Sequence, residues 1–455
     1  MYIEQIYTSC LAQASYYIES QGEAAVIDPI REPEPYLDLA ANRNAKIKYV
    51  FETHFHADFV SGHLDLSKIT GAPIIFGPGA ETKYEATIAE DGQEFAIGDL
   101  TIKVLHSPGH TLESSCYLLY NAEGREHAIF TGDTLFVGDV GRPDLLDGVA
   151  TKEELAGHMY TSLNTVIKPL PDDVIVYPAH GPGSSCGKNL GDETWSTIGE
   201  QKRDNYALQA MSEAEFVKSV TEELKDPPPY FFTDASINKN GYQGLGEVME
   251  KNIKPLTPEA FKAEIENGAL VIDTRIAEEF EKGFVKGAIN IGLNGMYAIW
   301  VGTLIDHSVP LLIVAEKGKE EESISRLARV GYEYVLGYLN GGFSAWEEKG
   351  LPTDNVKSVS ANTFAESDDR NLILDVRREE EFGDGHLENA YNIPLAALND
   401  QLNTIDPSRP FYMHCKTGYR SMIAASILKR NRISNFINIV GGIDSISKTG
   451  LTLTK

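Results

Sequence analysis

The sequence predicts a soluble multidomain α/β protein, and three observations predict it. The chain has 455 residues, and at roughly 100–200 residues per domain that means two to four domains. Its first half alternates apolar strands with helices and carries polar histidines where the strands end. Its second half contains an internal repeat of about a hundred residues per copy.

The first half runs to about residue 235. Tyr2, Ile3, Ile6, Tyr7, then Tyr16, Tyr17 and Ile18, read as a strand pair. A helix opens at Pro33-Glu34-Pro35, and apolar strands follow at Ile47–Phe51, Ile74–Phe76, Leu100–Leu105, Cys116–Tyr120, Ala128–Phe130 and Val174–Tyr177. A helical stretch is expected over Thr197–Leu224, and Asp226-Pro227-Pro228-Pro229 stops it, because proline cannot continue a helix. A loose connector, 236–254, comes next.

The repeat fills the rest, as domains 255–353 and 356–455. Ile272-Asp273-Thr274-Arg275 parallels Leu374-Asp375-Val376-Arg377, Pro310–Val314 parallels Pro410–His414, and Gly341-Gly342 parallels Gly441-Gly442. Short apolar strands alternating with helices give each copy a small parallel-sheet α/β domain.

Composition excludes several function classes. Lys plus Arg number 40 against 67 Asp plus Glu, a net charge of −27. Such a field repels nucleic acid and anionic membrane surfaces, so neither is an expected partner. No apolar run is long enough to span a bilayer, and the start lacks the basic flank and apolar core of a secretory signal. Only Cys10, Cys116, Cys186 and Cys415 occur, without a C-x-x-C spacing. That argues against a disulfide framework and for a reducing, cytoplasmic compartment.

Four strands of the first half end on chemistry. Ile47–Phe51 leads to Thr53-His54-Phe55-His56-Ala57-Asp58-Phe59, Leu100–Leu105 to Ser107-Pro108-Gly109-His110-Thr111, Ala128–Phe130 to Thr131-Gly132-Asp133, and Val174–Tyr177 to Pro178-Ala179-His180. Ligands at several strand ends can converge on one rim, and imidazole with carboxylate suits Zn, Fe or Mn. In this order the motifs resemble the metallo-β-lactamase superfamily, which implies an αββα sandwich. The segment Thr131–Leu145 resembles persulfide dioxygenases within it. The dinuclear hydrolases of the superfamily carry H-x-H-x-D-H, and here Phe59 stands in the last position. Phenylalanine cannot coordinate, so one metal is expected.

The resemblance implies His54, His110 and Asp133 as ligands of a single Fe(II), the two-histidine, one-carboxylate set of non-haem oxygenases. His56, Asp58 and His180 would orient the ligands and bound water. Arg142 is a candidate either for a substrate carboxylate, since guanidinium binds carboxylate bidentately, or for a structural ion pair. Cys186, six residues past His180, would lie near the site mouth or be an inert buried thiol, the commoner fate of a lone cysteine.

In the second copy, His414-Cys415-Lys416-Thr417-Gly418-Tyr419-Arg420-Ser421 joins an apolar strand to a helical run. A thiol in such a loop lies in a cradle of backbone N–H groups that favours thiolate. Gly418 permits the tight path and Arg420 adds positive charge. The string resembles rhodaneses. Four residues separate Cys415 from Arg420, one fewer than in rhodanese-fold phosphatases, which suits a sulfur atom rather than a phosphate. The first copy has Ala315 and Glu320 at these places, so it is expected to be catalytically inactive.

The whole arrangement resembles bacterial persulfide dioxygenase–sulfurtransferase fusions. It implies oxidation of a low-molecular-weight persulfide (of glutathione, coenzyme A or a similar thiol) by O2 to sulfite, with Cys415 passing sulfur on to give thiosulfate, in a homo-oligomer. The alternative is a zinc-dependent, glyoxalase II-like thioester hydrolase fused to a rhodanese sulfur carrier.

Overall fold

A computed structural model describes residues 1–146, 148–368, 370 and 372–455. They form two compact units, Met1–Glu247 with Ala328–Gly331, and Val248–Leu327 with Tyr332–Lys455. Among the described residues no helix is long and apolar enough to cross a membrane.

The first unit is an αββα sandwich. One sheet lines up β1 (Tyr2–Thr8), β2 (Gln13–Ser20), β3 (Glu23–Ile27), β4 (Lys46–Phe51), β5 (Ile74–Phe76) and β6 (Thr87–Ile88) in chain order. The other contains β7 (Glu94–Ile97), β8 (Leu100–His106), β9 (Ser115–Tyr120), β10 (Glu126–Gly132), β11 (Ile175–Pro178) and β12 (Ser196–Thr197), again in sequence along the sheet. The apolar faces meet around Tyr16, Phe51, Phe95, Tyr117 and Phe130. Tyr36 of the helix Glu34–Asn42 covers the outer face of the first sheet with Val26 and Val50. Met159 and Phe216, from the helices Lys152–Ser162 and Glu213–Thr221, cover the second with Ile129 and Val176. Burying each aromatic is worth roughly 2–3 kcal/mol, so both sheets are fixed on two sides.

Two sequence expectations fail here. The single helix over Thr197–Leu224 is instead two helices, Ile198–Asp204 and Glu213–Thr221. Asn205 leaves the helical region at φ −83, ψ 122 and caps a 3-10 turn, and Ser212 starts the second helix with a capping box to Glu215. The stretch expected to be a loose connector is helical, Tyr230–Asn240 and Leu245–Asn252. Polar anchors explain it. The Asn238 amide donates to the carbonyls of His56 and Phe59 and accepts from Ser61 N–H, and the Leu245 N–H donates to Asp65.

The second unit holds two five-stranded parallel sheets. The first orders Pro255–Leu256, Val335–Leu339, Leu311–Val314, Leu270–Asp273 and Ile289–Asn290; the second orders Ser358–Val359, Phe436–Ile439, Phe411–His414, Ile373–Asp375 and Ala390–Asn392. The helix Tyr419–Arg430 is buried from Ser421 to Leu428. The first copy reaches it through Asn290 N–H to Ser426 Oγ (3.0 Å), and Tyr419 O–H donates back to Gly292 O (2.8 Å).

Candidate metal centre and cysteine loop

All four histidine-bearing or acidic loops leave strand ends at one rim of the first unit. His54 follows β4, His110 follows β8, Asp133 follows β10 and His180 follows β11. Gly132 holds φ +51, and a Cβ there would lie 2.6 Å from Thr53 Oγ1. Glycine therefore lets the Asp133 turn close against the His54 loop.

His54, His110 and Asp133 present ligand atoms all within 4.8 Å of one another. Asp133 Oδ2 is 3.4 Å from His110 Nε2 and 3.9 Å from His54 Nε2. The far nitrogens are anchored. His54 Nδ1 is 2.9 Å from Thr53 Oγ1, which itself donates to Asp28; His110 Nδ1 is 2.8 Å from Arg142 O. Each ring is thus turned with Nε2 inward, as a ligand needs. Burial and the neighbouring rings of His56, His110 and His180 push the His54 pKa well down, which keeps it a neutral donor.

The residues fit a metal ion. Asp133 is 1% exposed, yet among the described residues neither of its carboxylate oxygens has a hydrogen-bond partner, and His110 Nε2 has none. A buried carboxylate left in this way is costly unless a cation faces it.

His56, Asp58 and His180 form a second set of three donors beside the first. His180 Nε2 lies 3.5 Å from Asp58 and 3.6 Å from the other oxygen of Asp133. Phe59 fills the adjoining space, its ring 4.4 Å from that of His56. Behind them lie groups that the sequence reading missed. His56 Nε2 is 3.1 Å from Asp28 and 3.5 Å from Glu52, and Glu52 also faces His63 Nδ1 at 3.4 Å. Burial disfavours His56 in its charged form, but Asp28 and Glu52 more than offset this and lift its pKa to about 9. Asp28 and Glu52 end β3 and β4 in the same way that Asp133 ends β10, a signal that was available in the sequence.

Arg142 and Cys186 take the structural alternative of the two places expected for each. Arg142 is buried and bidentate to Asp144 at 2.6 and 2.8 Å, and it also donates to Ser185 O and Lys225 O. A substrate carboxylate would have to displace Asp144, so Arg142 acts here as a structural ion pair whose carbonyl orients His110. Cys186 sits within ligand distance of Asp133 and His180, but is 1% exposed. Burial, with Asp58 and Asp133 nearby, raises its pKa well above the ordinary thiol value, and the thiol lies in the site wall.

In the second unit Cys415 ends the strand Phe411–His414. Gly418, at φ +111, turns its N–H onto Cys415 Sγ at 3.1 Å. Arg420 does not stand free as positive charge, which corrects the sequence expectation. Its guanidinium is bidentate to Glu381 at 2.6 and 2.8 Å, and that bond holds the Glu381 pKa down at about 2. Ala315 stands at the corresponding strand end of the first copy.

The metallo-beta-lactamase superfamily profile matches residues 8–180, and the rhodanese-like domain profile matches residues 257–349 and 360–449. A metallo-beta-lactamase structure from Staphylococcus aureus is 30% identical, with a TM-score of 0.66, over 75% of this chain and 99% of that one. The structure of ETHE1 from Myxococcus xanthus is 30% identical over 52% of this chain and 98% of that one, with a TM-score of 0.45. The cytoplasmic hydroxyacylglutathione hydrolase of Arabidopsis thaliana is 36% identical over 170 residues, 36% of this chain and 62% of that protein. The chain spans about three fifths of the length of the curated relatives it matches.

Proposed function

The chain belongs to the metallo-β-lactamase superfamily and carries two rhodanese-like domains after that unit, and on this premise we propose that it oxidises a small persulfide with O2 and transfers sulfane sulfur through Cys415. The observation that carries the reading is one donor set of two histidines and a carboxylate, His54, His110 and Asp133, beside a phenylalanine where the dinuclear hydrolases have a histidine. Fe(II) held by this set would supply the redox chemistry with dioxygen that zinc lacks. The overall step balances as R–S–SH + O2 + H2O → R–SH + SO3²⁻ + 2H⁺.

The chain's own residues prepare that step. Thr53, backed by Asp28, and the Arg142 carbonyl hold the two imidazoles in place. The buried rings of Phe59, against His56, and Phe136, against His180, give the rim an apolar flank. At the second site the Cys415 thiolate attacks the terminal sulfur of a persulfide: Cys415–S⁻ + R–S–SH → Cys415–S–SH + R–S⁻. The Gly418 N–H stabilises the sulfur anion. Sulfite then takes that sulfur: Cys415–S–SH + SO3²⁻ → Cys415–S⁻ + S2O3²⁻ + H⁺.

The decisive experiment is oxygen uptake by iron-loaded protein offered glutathione and coenzyme A persulfides, with sulfite and thiosulfate quantified. Asp133→Asn should abolish oxygen uptake and metal retention while sparing Cys415-dependent transfer. A second reading, zinc-dependent thioester hydrolysis, is favoured by the three donors His56, Asp58 and His180 and by the hydroxyacylglutathione hydrolase relatives. Two zinc ions per chain and hydrolysis of S-lactoylglutathione without oxygen uptake would establish it instead.

A further inference from the structure

The helix Tyr419–Arg430, which starts at the Cys415 loop, is held along one stripe by the first copy. Tyr419 O–H donates to Gly292 O (2.8 Å), Asn290 N–H donates to Ser426 Oγ (3.0 Å) and the Arg430 guanidinium donates to Gly287 O (2.9 Å). Positions 419, 426 and 430 are spaced i, i+7, i+11, so they share one face of the helix. The first contact is a fitted seat. A Cβ on Gly295 would come within 2.5 Å of the Tyr419 ring, so this glycine lets the ring close down. The first copy's own frame braces the seat. Ile291 N–H and Leu293 N–H donate to Asp273 O and Thr274 O, and the Asn290 amide bridges the carbonyls of Asp273 and Arg275. Where Tyr419 stands, the first copy has an exposed Lys319 paired with Glu322. What Tyr419 holds is its neighbour in the chain. Gly418 N–H meets Cys415 Sγ at 3.1 Å from a backbone at φ +111. Glycine has the widest backbone freedom, so the residues around it must set where that N–H points. On one side Ile443 N–H fixes Cys415 O at 2.8 Å; on the other is Tyr419 in its seat.

We infer that the first rhodanese-like copy, which has no cysteine of its own, is the positioning element of the second: its seat for Tyr419 keeps the Gly418 N–H aimed at Cys415 Sγ. The inference rests on the reading of Cys415 as a sulfur carrier and adds Tyr419 to it as a positioning residue. The step that feels the seat is unloading. Sulfite attacks the outer sulfur of Cys415–S–SH and bonds to it. The S–S bond to Cys415 breaks, its electron pair stays on Sγ, and the proton of the outer sulfur goes to solvent. Negative charge therefore builds on the atom that the Gly418 N–H faces. A donor already aimed there lowers the barrier, and a donor that has drifted does not. The retained Asp273–Arg275 frame of the first copy thereby has work to do without a thiol beside it: it holds the seat.

The test loads the full chain with glutathione persulfide without oxygen, so that none is oxidised, removes the excess donor and mixes rapidly with sulfite. The thiosulfate burst has an amplitude, which counts loaded cysteines, and a rate constant, which reports the step at each of them. Tyr419→Phe removes only the O–H, and Gly295→Ala crowds the ring from the other copy. Each should lower the rate constant about tenfold, whatever fraction loads. The double variant should be no slower than the slower single one, because both act through one contact. Lys319→Ala, at the matching position of the first copy, should be as fast as wild type. Rate constants within twofold of wild type in both single variants overturn the positioning role. So does a fall in amplitude alone, which marks lost folded protein, and so do effects that multiply in the double variant. No burst in wild type, or an unchanged burst in Cys415→Ser, overturns the carrier reading and the positioning role with it.

Discussion

The two rhodanese-like copies share a frame and part company at one loop. In each, a buried aspartate at the end of a central strand holds an arginine two residues on, Asp273–Arg275 and Asp375–Arg377, both at 2.6 Å. In each, that arginine reaches a glycine carbonyl, Gly283 or Gly385, and an asparagine, Asn290 or Asn392, bridges the carbonyls around the pair. Gly318 and Gly418 both turn through positive φ. What their N–H groups meet is different. Gly418 donates to the sulfur of Cys415 at 3.1 Å, and Gly318 donates to the carboxylate of Glu320 at 2.7 Å. The backbone in both places offers a donor to an anion, as turns at helix starts do. The side chain decides whether that N–H meets a thiol sulfur or a carboxylate that already satisfies it. In the first copy the cradle is plugged by Glu320 as well as lacking a cysteine at Ala315.

The largest effect that tests this comparison is at the cysteine. Cys415→Ser should lower sulfur transfer by more than about a thousandfold, roughly 4 kcal/mol of transition-state stabilisation. Adding Ala315→Cys to that variant should not restore it, because Glu320 holds the Gly318 N–H and no arginine follows; recovery to within tenfold of wild type would break the plug argument. Next come the shared ion pairs. Asp273→Ala and Asp375→Ala each leave a buried arginine without its partner, at a cost of about 3–5 kcal/mol in denaturant unfolding of the domain concerned. A cost in one copy alone would show that the frame is not equivalent. Arg420→Lys keeps the charge but loses the two-pronged bond to Glu381, and a drop of about tenfold in transfer rate is expected.

The smallest effect is the pH dependence of that last pair. Glu381 is depressed from about 4.5 to about 2 by Arg420. Its stabilising contribution is therefore fully present above pH ~4.5 and is lost as pH falls through about 2. It should amount to no more than ~1 kcal/mol, since both side chains keep some solvent exposure. Acid titration of unfolding in wild type and Glu381→Gln should differ most above pH ~4.5, narrow through that window and converge below about 2.

Much of this was legible in the sequence because strand ends and tight loops carry local signals. The His54, His110 and Asp133 loops each follow an apolar strand, and the geometry brings them to one point. The hundred-residue repeat gave both copies and the vacancy at Ala315. What was hidden depends on contacts far apart in the chain. Arg142 looked available for substrate, but Asp144, Ser185 and Lys225 claim its donors. Arg420 looked free, but Glu381, 39 residues earlier, neutralises it. Glu52 and His63 read as ordinary polar residues until His56 is placed between Asp28 and Glu52. The helix Thr197–Leu224 failed because apolar periodicity continued across Asn205, where the backbone did not.

One amide sets where the first unit can be cut. The side chain of Asn238 is bound on both ends to the stretch from His56 to Ser61, and it is 1% exposed. A protein trimmed at residue 235 would retain every imidazole and carboxylate of the rim, yet would leave two carbonyls and one N–H of that stretch with nothing to bond to. Such a fragment should fold around the same β-sandwich and hold its ion loosely. Sequence matching ends the superfamily region at residue 180, but the clasp that keeps the ligand loop shut is contributed nearly sixty residues later.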